Sequence, residues 1–164
     1  MRYATLVAIV VASGCSQMSP VQPDQVSQSA IGAAGEERAV AAGVHRGRPL
    51  ITTLTGAAEV PGPGDADGTG TATITLNHGH GEVCFELTVA NIEPATAAHI
   101  HRGPAGVAGP VVVGLTPPAS GSSTGCVAAD PDLVKEIIQN PSDFYVNVHN
   151  APFPAGAVRG QLDK

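Results

Sequence analysis

The sequence predicts an all-β domain, an antiparallel Greek-key β-sandwich or barrel with one short helix. Three observations carry this. Seven or so short stretches alternate polar and apolar residues with period two, and Gly- or Pro-containing turns separate them at the roughly 8–12-residue spacing of such folds. The 164 residues include 20 Gly and 14 Pro but only 3% aromatics and no Trp. That composition excludes a coiled coil or helical bundle and leaves a core of Val, Ile, Leu and Ala. Only one stretch, between Asp130 and Asn140, carries helix start and stop signals.

Charge narrows the function classes. Lys and Arg number 8 against 14 Asp and Glu, a net charge of -6. So few basic residues leave no surface to neutralise phosphates, and no nucleic-acid partner is expected.

Residues 1–14 read as a lipoprotein signal peptide. Arg2 gives a positive start, residues 4–12 are uncharged and mostly apolar, and Ser13-Gly14-Cys15 places small residues at a cleavage point. The apolar run falls short of the ~20 residues that span a bilayer. Ala12-Ser13-Gly14-Cys15 resembles a bacterial lipobox, with Ala12 where Leu is usual. The resemblance implies a lipid on Cys15, and Ser16 resembles an outer-membrane sorting signal. A plain secretory signal is the alternative. Removing residues 1–14 takes the net charge from -6 to -7, so the lipid would be what holds this acidic chain at a membrane. The expected location is exported and membrane-anchored, at the outer membrane, in the periplasm or on the cell surface. Residues 15–49 read as a flexible tether rich in Ser, Gln, Ala and Gly, with His45 solvated beside Arg46.

Residues 50–164 form the predicted domain. Period two begins at Leu50. Residues 71–76 alternate Thr with apolar Ala, Ile and Leu, residues 77–81 (Asn-His-Gly-His-Gly) make a turn, and Val83, Phe85, Leu87 and Val89 alternate with Cys84, Glu86 and Thr88. This is a hairpin with its apolar set turned to the core. Further strands fall at 97–102, 110–115, 122–128, 144–149 and 157–162, parted by Gly- and Pro-rich turns. In the helix, Asp130 is the N-cap, Pro131 takes the first helical position and Asp132 complements the dipole. Leu133, Val134, Ile137 and Ile138 share a face, and Asn140-Pro141 ends the helix.

With Cys15 lipidated, Cys84 and Cys126 remain as an even pair in an exported chain, which favours a disulfide over two free thiols. Closing a loop of about 42 residues would contribute roughly 3–4 kcal/mol. Neither Cys has the spacing of a metal site.

The motif Ala98-His99-Ile100-His101-Arg102-Gly103, followed by Gly106, Gly109-Pro110-Val111-Val112 and Leu115, resembles the CHRD (chordin-type) domain family. The resemblance starts at Leu54-Thr55-Gly56-Ala57-Ala58-Glu59-Val60-Pro61. It continues through Phe144-Tyr145-Val146-Asn147-Val148-His149-Asn150, Phe153-Pro154-Ala155-Gly156 and Val158-Arg159-Gly160-Gln161-Leu162. Ala157 departs from the pattern, which usually has Glu there. The resemblance implies an exported all-β domain and fixes no biochemical activity.

His99-Ile100-His101 holds the most chemistry. On a strand, residues i and i+2 share a face, so both imidazoles project together if Ile100 is buried. His149 shares parity with Tyr145 and Asn147, while Val146 and Val148 claim the core. Three imidazoles from two strands suit copper or zinc, with a position left open for water or a small anion. The arrangement is similar in outline to copper–zinc superoxide dismutase, a β-sandwich with a His-x-His strand, a disulfide and an Arg near the metal. By that analogy Arg159 or Arg102 would attract an anion, although no second His and Asp cluster for zinc is evident. The alternative places the histidines at the surface, hydrogen-bonded to Asn147, Glu93 or backbone. His78 and His80 sit in a turn and read as solvated.

Other chemistries find no support. The Gly-rich residues 62–70 lack the Lys and following helix of a P-loop, and Asp65 and Asp67 lack the downstream Glu of an EF-hand. Two functions follow as expectations. One is a lipid-anchored protein binding a transition metal through His99, His101 and His149, with superoxide dismutase-like redox activity in view. The other is a non-catalytic surface module for a protein or glycan partner.

Overall fold

The computed structural model describes residues 47–164. The expectations for the signal peptide, Cys15 and nearly all of the tether fall outside the described residues. Eight strands form one antiparallel sheet: β1 (Leu50–Thr55), β2 (Thr69–Asn77), β3 (Glu82–Ala90), β4 (Ala95–Arg102), β5 (Val111–Leu115), β6 (Ser122–Ala128), β7 (Phe144–Asn150) and β8 (Val158–Gln161). Their order across the sheet is β5-β4-β7-β8-β1-β2-β3-β6. The sheet curls until its edges β5 and β6 approach without pairing, a nearly closed barrel. The all-β expectation therefore holds, with one helix, α1 (Pro131–Gln139), between β6 and β7.

Alternation sets the inside. Leu54, Ile74, Val83, Leu87, Ile100, Val146, Val148 and Val158 are all fully buried. Each such side chain contributes roughly 1.5–3 kcal/mol through removal from water. The β2–β3 hairpin keeps the predicted register, Ile74 opposite Phe85 and Leu76 opposite Val83. Its turn is a single 3-10 turn over His78–His80, closed by Gly81 in the left-handed region at φ 59°. That backbone conformation favours glycine because a Cβ would crowd the chain. Both His78 and His80 are exposed there.

Cys84 and Cys126 face each other across β3 and β6 and form the predicted disulfide. It fastens the edge strand β6 to the sheet. In α1, the Asp130 side chain accepts a hydrogen bond from the Asp132 N–H at 2.7 Å, as the cap signal required. Val134 and Ile137 are buried, whereas Ile138 is 43% exposed. The apolar face is narrower than the sequence implied, because the helix touches the barrel end along one line.

Candidate metal centre

Alternation along β4 sends Ala98 and Ile100 into the core and His99 and His101 to the opposite side. The same rule on β7 buries Val146 and Val148 and turns Tyr145, Asn147 and His149 outward, and on β8 it turns Arg159 and Gln161 outward. The register aligns these into rows. His101 lies opposite Tyr145, which lies opposite Gln161; His99 lies opposite Asn147, which lies opposite Arg159. The result is a polar patch on the outer side of the barrel.

That patch is roofed by two loops. Residues 103–110 cross it, held by Arg159 Nη1 donating to the Val107 carbonyl at 3.0 Å, Nη2 to the Pro104 carbonyl at 3.1 Å and Gln161 Nε2 to the Gly103 carbonyl at 2.9 Å. Gly109 must be glycine, since a Cβ there would collide with the Arg102 backbone. Its N–H donates to Tyr145 Oη at 3.1 Å. Residues 151–157 form the second flap, which brings the Pro154 carbonyl to His149.

The three histidines converge as predicted. Their nearest ligand atoms all lie within 4.8 Å of one another, a group that could hold a metal ion. His101 Nδ1 is 2.8 Å from the Gly109 carbonyl, and His149 Nδ1 is 3.1 Å from the Pro154 carbonyl. A carbonyl only accepts, so both Nδ1 atoms carry a proton, which in a neutral ring leaves Nε2 as the atom with the lone pair. His101 Nε2 is buried without any hydrogen-bond partner. His99 Nδ1 sits 3.1 Å from His149 Nε2 and donates to that lone pair. Burial, and then each other's charge, holds His99 below the ordinary imidazole range. Burial does the same to His149, against the opposing pull of the Pro154 carbonyl. The unpartnered Nε2 of His101 fits a transition metal, which would take the His149 lone pair in place of the His99 N–H, and carbonyls behind two of the rings are the support such ligands use.

The two candidate cations part company. Arg102 follows Ile100 in parity, so it lies on the other face, ion-paired to Glu136 of α1 at 2.5 Å and about half exposed. Arg159 shares the histidine face, but its guanidinium is tied to loop carbonyls and lies over Tyr145, with Cζ 3.4 Å from the ring centroid. Among the described residues no second His and Asp cluster accompanies the three histidines. The other group of potential ligands is Glu82 with the bonded Cys84 and Cys126.

Two site residues were not singled out from sequence. Glu59, at the end of a 3-10 turn after β1, is 5% exposed. Its carboxyl is pushed up to about 7, mainly by burial, against the opposing charge of Arg159 and hydrogen bonds from the Val60 N–H and the Asn147 side chain. Tyr145 stacks on His101 with centroids 4.7 Å apart and planes 12° from parallel. Its place on the His149 side of β7 was readable from parity; its role between two other rings was not.

Comparison with known proteins agrees with the motifs. The CHRD domain profile matches residues 50–162, which spans every strand and the whole patch. No curated protein and no solved structure shows a significant match. By this match over most of its length, the chain belongs to the CHRD domain family.

Proposed function

We propose that the domain binds one transition-metal ion, copper or zinc, through His99, His101 and His149. The observation that carries this is the pair of locked tautomers. His101 and His149 each hand their Nδ1 proton to a backbone carbonyl, and the bare Nε2 of His101 is buried with no other partner. A structural histidine would be expected to spend that atom on a hydrogen bond. A bound ion would supply Lewis acidity and, if copper, one-electron exchange. The chain's own contribution is to hold the three imidazoles in place beside the 103–110 loop.

A binding module is the coarser reading, and the family and the histidine group are compatible with it. Superoxide dismutase-like redox chemistry has less support, since Arg102 faces away and the Tyr145 ring stands between Arg159 and His101. The proposal keeps the sequence expectation of export and a lipid on Cys15, and the Cys84–Cys126 disulfide fits an oxidising compartment.

Metal analysis of the untagged full chain tests the reading. One equivalent of copper or zinc, lost in His99→Ala and His149→Ala, is expected. A folded chain that takes up neither metal on addition would overturn it, and so would undiminished uptake in the two variants.

A further inference from the structure

A separate cavity of about 260 Å³ lies where the turn after β1 meets the 103–110 loop. Ala58, Glu59, Ala105, Gly106, Arg159 and Gln161 are among its walls. Two of these carry chemistry and are almost wholly buried, Arg159 at 2% and Glu59 at 5% exposure. Arg159 has no ionised partner within ion-pair distance; among the described residues the ion pair formed is Arg102–Glu136. Three hydrogen bonds occupy its guanidinium, to Val107, Pro104 and Gln161. A guanidinium has five N–H donors, so donors remain.

Glu59 neutralises it only in part. Burial outweighs the attraction of Arg159 and leaves the carboxyl half-protonated at about pH 7. Its Oε1 is buried with no hydrogen-bond partner. A buried cation whose neighbouring carboxyl is only half-ionised and a buried oxygen without a partner are each costly, and the chain retains both in one cavity wall.

We propose that this cavity is a binding site for a small carboxylate or similar oxyanion, held between Arg159 and Glu59. The anion takes the spare guanidinium donors and supplies the missing counter-charge. Glu59 acts in its acid form, its O–H donating to the ligand, because an ionised Glu59 would repel it. Binding therefore takes up a proton. The volume suits a ligand of a few heavy atoms and excludes a nucleotide. The groups facing Glu59 are Arg159 from β8 and Asn147 from β7, while Gly64 and Gly156 pack against it without side chains. The site is distinct from the histidine centre, so it stands or falls without the metal.

The test uses the full chain stripped of metal by chelation, titrated with acetate and with formate by calorimetry. Tyrosine fluorescence gives a second readout, since the chain has two Tyr and no Trp and Tyr145 lies under Arg159. Saturable one-site binding is expected, about tenfold tighter at pH 6 than at pH 8 for a proton taken up with a pKa of about 7. Glu59→Gln should bind with little pH dependence. Ala105→Phe, at an exposed position on the cavity rim, should abolish binding with the fold intact by circular dichroism. Three results would each overturn the proposal: no saturation by either anion up to about 100 mM (a Kd weaker than any specific site would give), equal affinity at the two pH values in the native chain, or unchanged binding in folded Ala105→Phe.

Discussion

Arg159 and His101 are coupled through one ring. The guanidinium lies over Tyr145, Cζ 3.4 Å from its centroid, and the imidazole of His101 stacks with the same ring at 4.7 Å. Tyr145 sits on the strand between theirs and also accepts the N–H of Gly109, whose carbonyl orients His101. One aromatic side chain thus links a buried charge, a loop and a candidate metal ligand.

Replacement of that ring separates its roles. Tyr145→Phe keeps both stacks and loses the hydroxyl, so it should cost about 1 kcal/mol in urea denaturation. Tyr145→Leu loses the stacks as well and should cost about 2–3 kcal/mol. It should also weaken copper or zinc binding more than the Phe variant, by freeing the His101 ring.

The two arginines should behave oppositely. Arg102→Ala removes a half-exposed ion pair and should change stability by less than about 1 kcal/mol, with metal uptake intact. Arg159→Lys should cost about 2–4 kcal/mol, because an ammonium cannot serve the Val107, Pro104 and Gln161 oxygens from one plane. Thermal denaturation of both variants compares them directly.

Glu59 makes a pH-dependent contribution with a definite sign. Its folded pKa, about 7, lies above the unfolded value near 4.5, so the folded state holds the proton more tightly. The stabilisation is complete below about pH 4.5 and is lost as pH rises through about 7, a change of up to about 3 kcal/mol. In Glu59→Gln this component should vanish, and the native-minus-variant stability difference should shrink between pH 5 and pH 8. A difference that stays flat across that range would contradict the assignment.

Reduction of Cys84–Cys126 should lower stability without opening the histidine centre. The bridge spans 42 positions, and the chain-entropy model gives roughly 3–4 kcal/mol for a loop of that length. Denaturation with and without reductant measures the loss. Metal uptake at temperatures where the reduced chain stays folded should be unchanged, because all three histidines lie on β4 and β7 and none on the bridged strands β3 and β6.

Most of the fold was legible because alternation is a local signal. The Val83, Phe85 and Leu87 series and the Asp130-Pro131 cap each state their structure within a few residues. The histidine centre was legible for the same reason, since parity alone put His99, His101 and His149 on one side of their strands. What parity could not show was the covering of that side. Nothing within residues 103–110 announces that they fold over β8, nor that Arg159 spends its charge holding them. Arg159 thus read as a free cation from its residue type. Glu59 was not legible as a buried acid because its burial depends on Gly156 and Asn147, which are remote in sequence. The overextended helix face at Ile138 has a like origin, because periodicity marks what could be buried and the width of the neighbouring barrel end decides what is.

The place of β1 in the sheet has a mechanical consequence. The chain enters the domain at Leu50 through an interior strand, flanked by β8 and β2. Its six residue pairs with β2 run the length of the strand. A pull on the chain ahead of Leu50, directed along β1, loads these pairs in parallel. They must shear together, where a pull directed across the strand would open one pair at a time. The domain is therefore built to bear tension at the end where its leading segment attaches.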